Sequence, residues 1–322
     1  MKAKPPVDAP ADDLAPCDSP KAALERLKEL YAEAIAEVEK RFTEYGQGKL
    51  KPNGGEAPTY PYLCAEVPAE KASQTSSLAL GRIAATSLHG ASITHPELFE
   101  PYLLDQLRRI IERYSARLFV GRSRTPIPIV FALEQATAQL SPDQRAGLQY
   151  HFHTPNLIAT NDDIVDGKII LQRSGVLPLS LFAAERVDFS LYRIQHYTAT
   201  RPEHFQQFIL FTNYQRYVDE FVERGKEAVG ESRAEALIEP GNRVWRKGDP
   251  PDNPALAKMP QMPAYHLVQP NRQGVTLVNI GVGPSNAKTI TDHLAVLRPQ
   301  VWLMIGHCGG LRRSQRLGDY VL

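Results

Sequence analysis

Apolar residues recur along the first third of the chain at helical spacing. Leu24, Leu27, Leu30, Tyr31, Ile35, Val38 and Phe42 run from a Ser19-Pro20 start to Gly46, which predicts one long amphipathic helix with Ser19 as its N-cap. KPNGGEAP reads as a loop, YPYLCAEV as a strand, and Leu80 to Thr94 as a second extended segment. A helix is predicted from about Pro101, with Leu104, Leu107, Ile111 and Tyr114 on one face and Arg108, Arg109 and Arg113 outside. RLFV and PIPIVFALE read as strands, SPDQRAGLQY as a short helix capped by Ser141, and Asp166-Gly167 as a turn into the strand KIILQ. Helices and strands are segregated here, so the first domain is expected to be α+β.

Around SGVLPLSLFAAERVD the texture changes, and the order becomes strand (FSLYRIQHYT), strand (QFILFT), helix (YQRYVDEFVERGKEAV), strand (VTLVNIGV), helix (SNAKTITDHLAVL), strand (VWLMIG). VTLVNIGV and VWLMIG are near-continuous apolar runs, as expected for central parallel strands covered on both faces. The proline-rich stretch from Gly241 to Pro270 reads as an extended surface excursion. The expectation is therefore two domains, 1–186 and 187–322, an α+β domain followed by an α/β domain.

Composition narrows the partners. Lys plus Arg number 37 against 36 Asp plus Glu, so no net field holds a polyanion and nucleic acid is not expected. Cys17, Cys64 and Cys308 fall in no metal-ligand or disulfide spacing, which points to reduced thiols and the cytoplasm. The polar, Pro-rich N-terminus and the lack of a long apolar run argue against a signal peptide or a membrane span.

The chemistry concentrates in the second half. Asn279-Ile-Gly-Val-Gly-Pro-Ser-Asn286 follows a strand and opens a helix, so Gly281 and Gly283 let a ligand approach the backbone and the helix start favours an anion. A dinucleotide site would place a third glycine where Asn286 stands and an acid ~20 residues on; neither is present, so a dehydrogenase is disfavoured. A Gly-rich turn that merely joins strand to helix is about as good a reading of this segment alone. Downstream come Met304-Ile-Gly-His-Cys-Gly-Gly-Leu311 and Leu317-Gly-Asp-Tyr-Val321.

Taken together, these segments resemble the nucleoside phosphorylase family, in which the glycine-rich bend after the strand passes beneath the ribose and a second strand starts at the L-G-D turn. QFILFTNYQRYVDEFV is similar to the family's first strand and phosphate loop. The resemblance puts Thr212, Arg216, Gly281, Gly283, Gly306, Cys308 and Gly309 at the substrate, with His307 as the tentative catalytic residue, and implies a three-layer fold on a mixed central sheet. Two departures matter. Met304 stands where the hexameric bacterial phosphorylases carry a second phosphate-binding arginine, and His307 stands in place of a hydroxyl residue. A phosphate nucleophile then loses one bidentate donor set, and water is its natural replacement. The reaction class becomes N-ribosyl hydrolysis, whose purine leaving group must be protonated.

The N-terminal half, through THPELFEPYLLDQL and PNLIATNDDIVDG, resembles the regulatory domain of the AMP nucleosidase family. That family implies cleavage of AMP to adenine and ribose 5-phosphate in purine salvage, activation by MgATP, inhibition by phosphate, no covalent cofactor and a homo-hexamer. It also implies that the purine-protonating acid and the ribose-clamping carboxylates follow Leu322, so the catalytic domain is read as incomplete. Alternatives are an inactive nucleotide-binding or assembly fragment, or a phosphorylase-type enzyme. By the same resemblance His196, with Arg193, reaches the 5′-phosphate of a neighbouring subunit's substrate; a partly exposed strand histidine is an equal alternative. His151 and His153 lack a third ligand, so no metal site is expected. Asn161, Asp162, Asp163 and Asp166 lack calcium-loop spacing and read as a solvated turn. Arg122 and Arg124 fit an effector phosphate or simply an exposed basic loop. Cys308 is read as a small buried residue more readily than as a nucleophile.

Overall fold

A computed structural model describes residues 8–11, 13–50, 57–68, 87–133, 140–156, 160, 162–166 and 176–320. They fall into two compact units, Met1–Tyr192 and Arg193–Leu322.

The first unit sets helices beside a five-stranded sheet. Strand β1 (Ala15–Cys17) leads into α1 (Pro20–Gly46), whose N-cap Ser19 side chain accepts from the Ala22 amide. Then follow β2 (Thr59–Val67), β3 (Ser87–Ser92), α2 (Glu100–Tyr114), β4 (Arg117–Pro126), α3 (Ile129–Ala132), α4 (Pro142–Gly147) and β5 (Val176–Pro178). The sheet order is β1-β4-β2-β3-β5, antiparallel except for the parallel β3–β5 pair. Its core joins Leu27 and Leu30 of α1, Leu63 and Ala65 of β2, Leu107 and Ile110 of α2, and Leu118 and Val120 of β4. Fully burying each large aliphatic side chain contributes ~1.5–3 kcal/mol. Gly90 permits a close approach: a Cβ there would lie 2.7 Å from Tyr62 Cζ.

Several expectations need correction here. The buried stripe of α2 is Leu103, Leu107, Ile110 and Tyr114, so Leu104 and Ile111 lie beside it, not in its centre. PIPIVFALE forms no strand of its own among its described residues: Pro126 ends β4, and the centre is the single helical turn α3, where the Ile129 amide donates to the His153 carbonyl at 3.1 Å. The short strands β1 and β5 carry too few residues for a visible alternation. Most of the Leu80–Thr94 segment before β3, and all of KIILQ, lie outside the described residues.

The largest correction concerns FSLYRIQHYT. It is helical, forming most of α5 (Ala184–Thr198). Ala184, Asp188, Leu191, Ile194 and Thr198 are buried at spacings of three and four, and two of those five are polar, which hides the helical period from an apolar count.

Beyond α5 come β6 (Phe208–Thr212), α6 (Gln215–Gly230), β7 (Ala236–Glu239), β8 (Arg243–Trp245), β9 (Ala264–Val268), β10 (Val275–Asn279), α7 (Pro284–Leu294) and β11 (Val301–Ile305). The six-stranded sheet runs β11-β6-β10-β9-β7-β8. The first three strands are mutually parallel and the rest antiparallel, so the sheet is mixed. The Gly241–Pro270 stretch is thus no simple excursion, because β8 and β9 arise within it and Met262, Ala264, Tyr265 and His266 are buried. Nor is β11 covered on both faces. It is an edge strand, with Val301, Trp302, Leu303 and Met304 all more than one-third exposed. Residues 306–320 form bends and turns, so no second strand starts at the L-G-D turn among the described residues.

Candidate active site

The pairing register aligns the carboxyl ends of the three parallel strands. Thr212 of β6 lies opposite Asn279 of β10 on one side and Ile305 of β11 on the other. Three loops therefore leave the same sheet edge: 213–214, 280–283 and 306–311. Open α/β sheets bind ligands at such an edge, where neighbouring connections diverge.

Each loop is shaped by its own residues. Thr212 is buried, and its hydroxyl accepts from the Tyr214 amide at 3.2 Å, turning the chain into α6. Arg216, in the first turn of α6, is exposed with its guanidinium carbon 5.1 Å from the Tyr217 ring centroid. Gly281 and Gly283 take φ of 62° and 112°, a region L side chains rarely enter. Gly306 follows β11 beside Asn213, whose buried Oδ1 has no hydrogen-bond partner among the described residues. His307 comes next. Its ring meets the Tyr214 ring edge-on at 5.0 Å and lies 6.2 Å from that of Tyr217, and Tyr217 Oη stands 3.5 Å from Nε2.

The structure thus brings Thr212, Arg216, Gly306 and His307 to one sheet edge with Gly281 and Gly283, and adds Tyr214 and Tyr217, which the sequence reading passed over. A tyrosine just after β6, at the N-cap of α6, and a second in the first turn of that helix were the available signal. Cys308 and Gly309 lie in the same bend, but Cys308 is exposed rather than buried, because the bend follows an edge strand. Met304 is half exposed on β11.

Arg193 and His196 sit on the last turns of α5, not on a strand. The Arg193 guanidinium stacks on the Tyr197 ring at 4.4 Å and donates to its hydroxyl, and His196 packs edge-on against the same ring at 5.3 Å. Tyr197 also stacks on His293 of α7. This turn is tied to the ligand edge by a short segment. The Met262 amide donates to the Tyr197 carbonyl at 2.9 Å, and the next residue, Pro263, accepts from the Asn279 amide at 3.0 Å.

Other titratable groups are structural. His266 is fully buried between the hydroxyls of Thr276 (2.9 Å) and Thr200 (3.0 Å), and burial holds it well below the usual histidine range, hence neutral. Arg122 donates to Asp13 and Glu33, and with Arg124, Glu33 and Glu37 it lines a cleft of about 610 Å³ in the first unit. Both arginines lie on strand β4 and not in a loop, and carboxylates stand beside Arg122. His151 and Tyr45 pack ring to ring at 4.9 Å, and no group of three or more metal-binding side chains occurs among the described residues. Asp162 pairs with Arg186 at 3.0 Å, while Asn161 and Gly167 lie outside the described residues. No described helix is long and apolar enough to cross a membrane.

Parts of the chain are similar to known proteins. Residues 22–175 match the family described as bacterial AMP nucleoside phosphorylase N-terminus. AMP nucleosidase of Escherichia coli (strain K12) is 42% identical over 314 residues, covering 94% of this chain and 64% of that protein. The AMP nucleosidase of Escherichia coli O157:H7 matches to the same extent. The chain therefore spans a little under two thirds of the length of these relatives. A crystal structure of AMP nucleosidase from Bacteroides thetaiotaomicron VPI-5482 aligns with 39% of this chain and 41% of its own, at 26% identity and a TM-score of 0.27. Through residues 22–175 and over 314 aligned residues, the chain is similar to AMP nucleosidases.

Proposed function

We propose that the protein hydrolyses AMP to adenine and ribose 5-phosphate. The observation that carries this reading is the 42% identity over 314 residues, 94% of this chain, to AMP nucleosidase. In the reaction the C1′–N9 bond breaks, a water oxygen bonds to C1′, the purine takes up a proton and the attacking water loses one. Arg216 holds an anionic group of the nucleotide, and the Gly281–Gly283 loop lets the substrate approach the backbone. His307, fixed between two tyrosine rings, faces the reacting sugar. With Met304 where a second arginine would bind a phosphate nucleophile, water is the attacking group. Arg193 and His196 serve the 5′-phosphate, in a neighbouring subunit of a homo-hexamer. The N-terminal part, residues 1–186, is the regulatory domain, through which MgATP activates and phosphate inhibits, and the enzyme works in the cytoplasm.

Product analysis tests this directly. The protein, incubated with AMP and MgATP, is expected to release adenine and ribose 5-phosphate in equal amounts without added phosphate. Phosphate-dependent release with ribose 1,5-bisphosphate as product would make it a phosphorylase, and no release at all would leave nucleotide binding as its role.

A further inference from the structure

The base of the glycine loop is pinned from three directions. The Asn279 amide donates to Pro263, the Ile280 amide to the Thr212 carbonyl at 2.8 Å, and the Gly281 amide to Asn279 Oδ1 at 3.1 Å. The fourth contact comes from the far side of the loop. Asn286, third residue of α7, turns its side chain back so that Nδ2 donates to the Ile280 carbonyl at 3.0 Å. Its other amide atom, Oδ1, accepts from Gln261 Nε2 at 3.3 Å. Past Gly281 the loop is open, with Val282 86% exposed.

We propose that Asn286 is a positioning residue, held by Gln261, which sets the Gly281–Gly283 loop against the first turn of α7 so that the backbone meets its anionic ligand in one geometry. Asparagine near a helix start ordinarily accepts hydrogen bonds from backbone amides. Here it donates backwards to a carbonyl six residues earlier, closing the loop across its own mouth. The residue that breaks a dinucleotide pattern thus takes over the task of fixing the turn by a side-chain bond. Gln261 belongs to the segment that also ties α5 to β10, since Met262 and Pro263 are its next two residues. One short stretch therefore holds the glycine loop, the end of β10 and the turn carrying Arg193 and His196.

For the identity of the ligand this inference rests on the proposed function, so its test has two arms. Asn286→Asp keeps shape but removes the donor; Asn286→Ala removes both; Gln261→Ala, at an exposed position, keeps the fold safe. In the first arm, hydrogen exchange of a peptide spanning 279–286 is compared with that of the parent protein. Loss of one net hydrogen bond predicts exchange about three- to tenfold faster in Asn286→Asp and Asn286→Ala, with the remaining peptides unchanged. In the second arm, AMP cleavage is expected to show a KM raised by a similar factor, with kcat moved less. Gln261→Ala should show a smaller change, and the Gln261→Ala/Asn286→Ala double variant none beyond Asn286→Ala. Parental exchange in Asn286→Asp overturns the inference whatever the protein cleaves. Failure of the parent to cleave AMP overturns the proposed function instead, and the exchange arm then decides this one.

Discussion

The hydroxyl of Tyr60 donates to Asp188 Oδ2 at 2.6 Å, joining strand β2 to helix α5 through two buried side chains. Thr94 Oγ1 donates to the other carboxyl oxygen at 2.6 Å, and His95 Nε2 lies 3.5 Å from it. Burial pushes the Asp188 carboxyl above its usual range, while His95 and the two hydroxyl donors pull it back. Tyr60→Phe leaves one of these oxygens without its donor in a desolvated site. It is expected to destabilise the protein by about 1–3 kcal/mol, read as a lower denaturant midpoint at unchanged slope. A midpoint equal to the parent's would mean that the bond contributes nothing net.

One turn earlier, Glu185 is raised to about 7, first by burial and then by Asp188, against the Asn156 amide, which donates to its carboxylate at 2.6 Å. Its ordinary value is 4.5, so the folded protein holds this proton more tightly than the unfolded chain. The associated stability is fully present below 4.5 and is lost as pH rises through 7. Thermal midpoints should therefore fall across this window, and Glu185→Gln should flatten the fall. Parallel pH profiles for the variant and the parent would remove Glu185 as its source.

Gly274 stands at the entry to β10, where an added Cβ would overlap the Leu267 carbonyl and lie 2.8 Å from Gln206 Oε1. The obstacle is backbone, in a paired strand, and has little room to shift. Gly274→Ala is expected to cost about 3 kcal/mol or more, at the upper end of overpacking effects. A variant melting within a degree of the parent would show that the β9–β10 connection relaxes freely.

Arg216, to which the proposed function gives an anionic group of the nucleotide, is exposed at the start of α6. Arg216→Ala is expected to raise KM for AMP or weaken phosphate inhibition by about ten- to a hundredfold, the equivalent of a charge-assisted hydrogen bond of about 1.5–3 kcal/mol. Arg216→Lys should recover part of the loss, since it keeps the charge without the planar fork. Unchanged kinetics and phosphate sensitivity in Arg216→Ala would take the residue out of the site.

What the sequence determined by itself are the elements whose pattern is local. The 27-residue helix α1 has a capping serine, a proline in its first turn and an unbroken apolar stripe. Strands β6 and β10 are short apolar runs ahead of turn residues, and the glycines after β10 mark the loop that positive φ requires. These features follow from side-chain periodicity and backbone sterics, which act over a few residues. Only the tertiary structure decided the rest. The segment of α5 that includes FSLYRIQHYT became helix because Asp188, Ser190 and Thr198 find hydrogen-bond partners in the interior, so polar residues occupy its buried face. β9 became an inner strand of the sheet because His266 is satisfied between Thr200 and Thr276, residues 66 and 10 positions away. The meeting of Thr212, Asn279 and Ile305 at one edge depends on parallel pairing across nearly a hundred residues, and so does the contact of His307 with Tyr214. Long-range pairing of this kind is selected by which buried polar groups can all be satisfied at once, a condition that no local window of sequence contains.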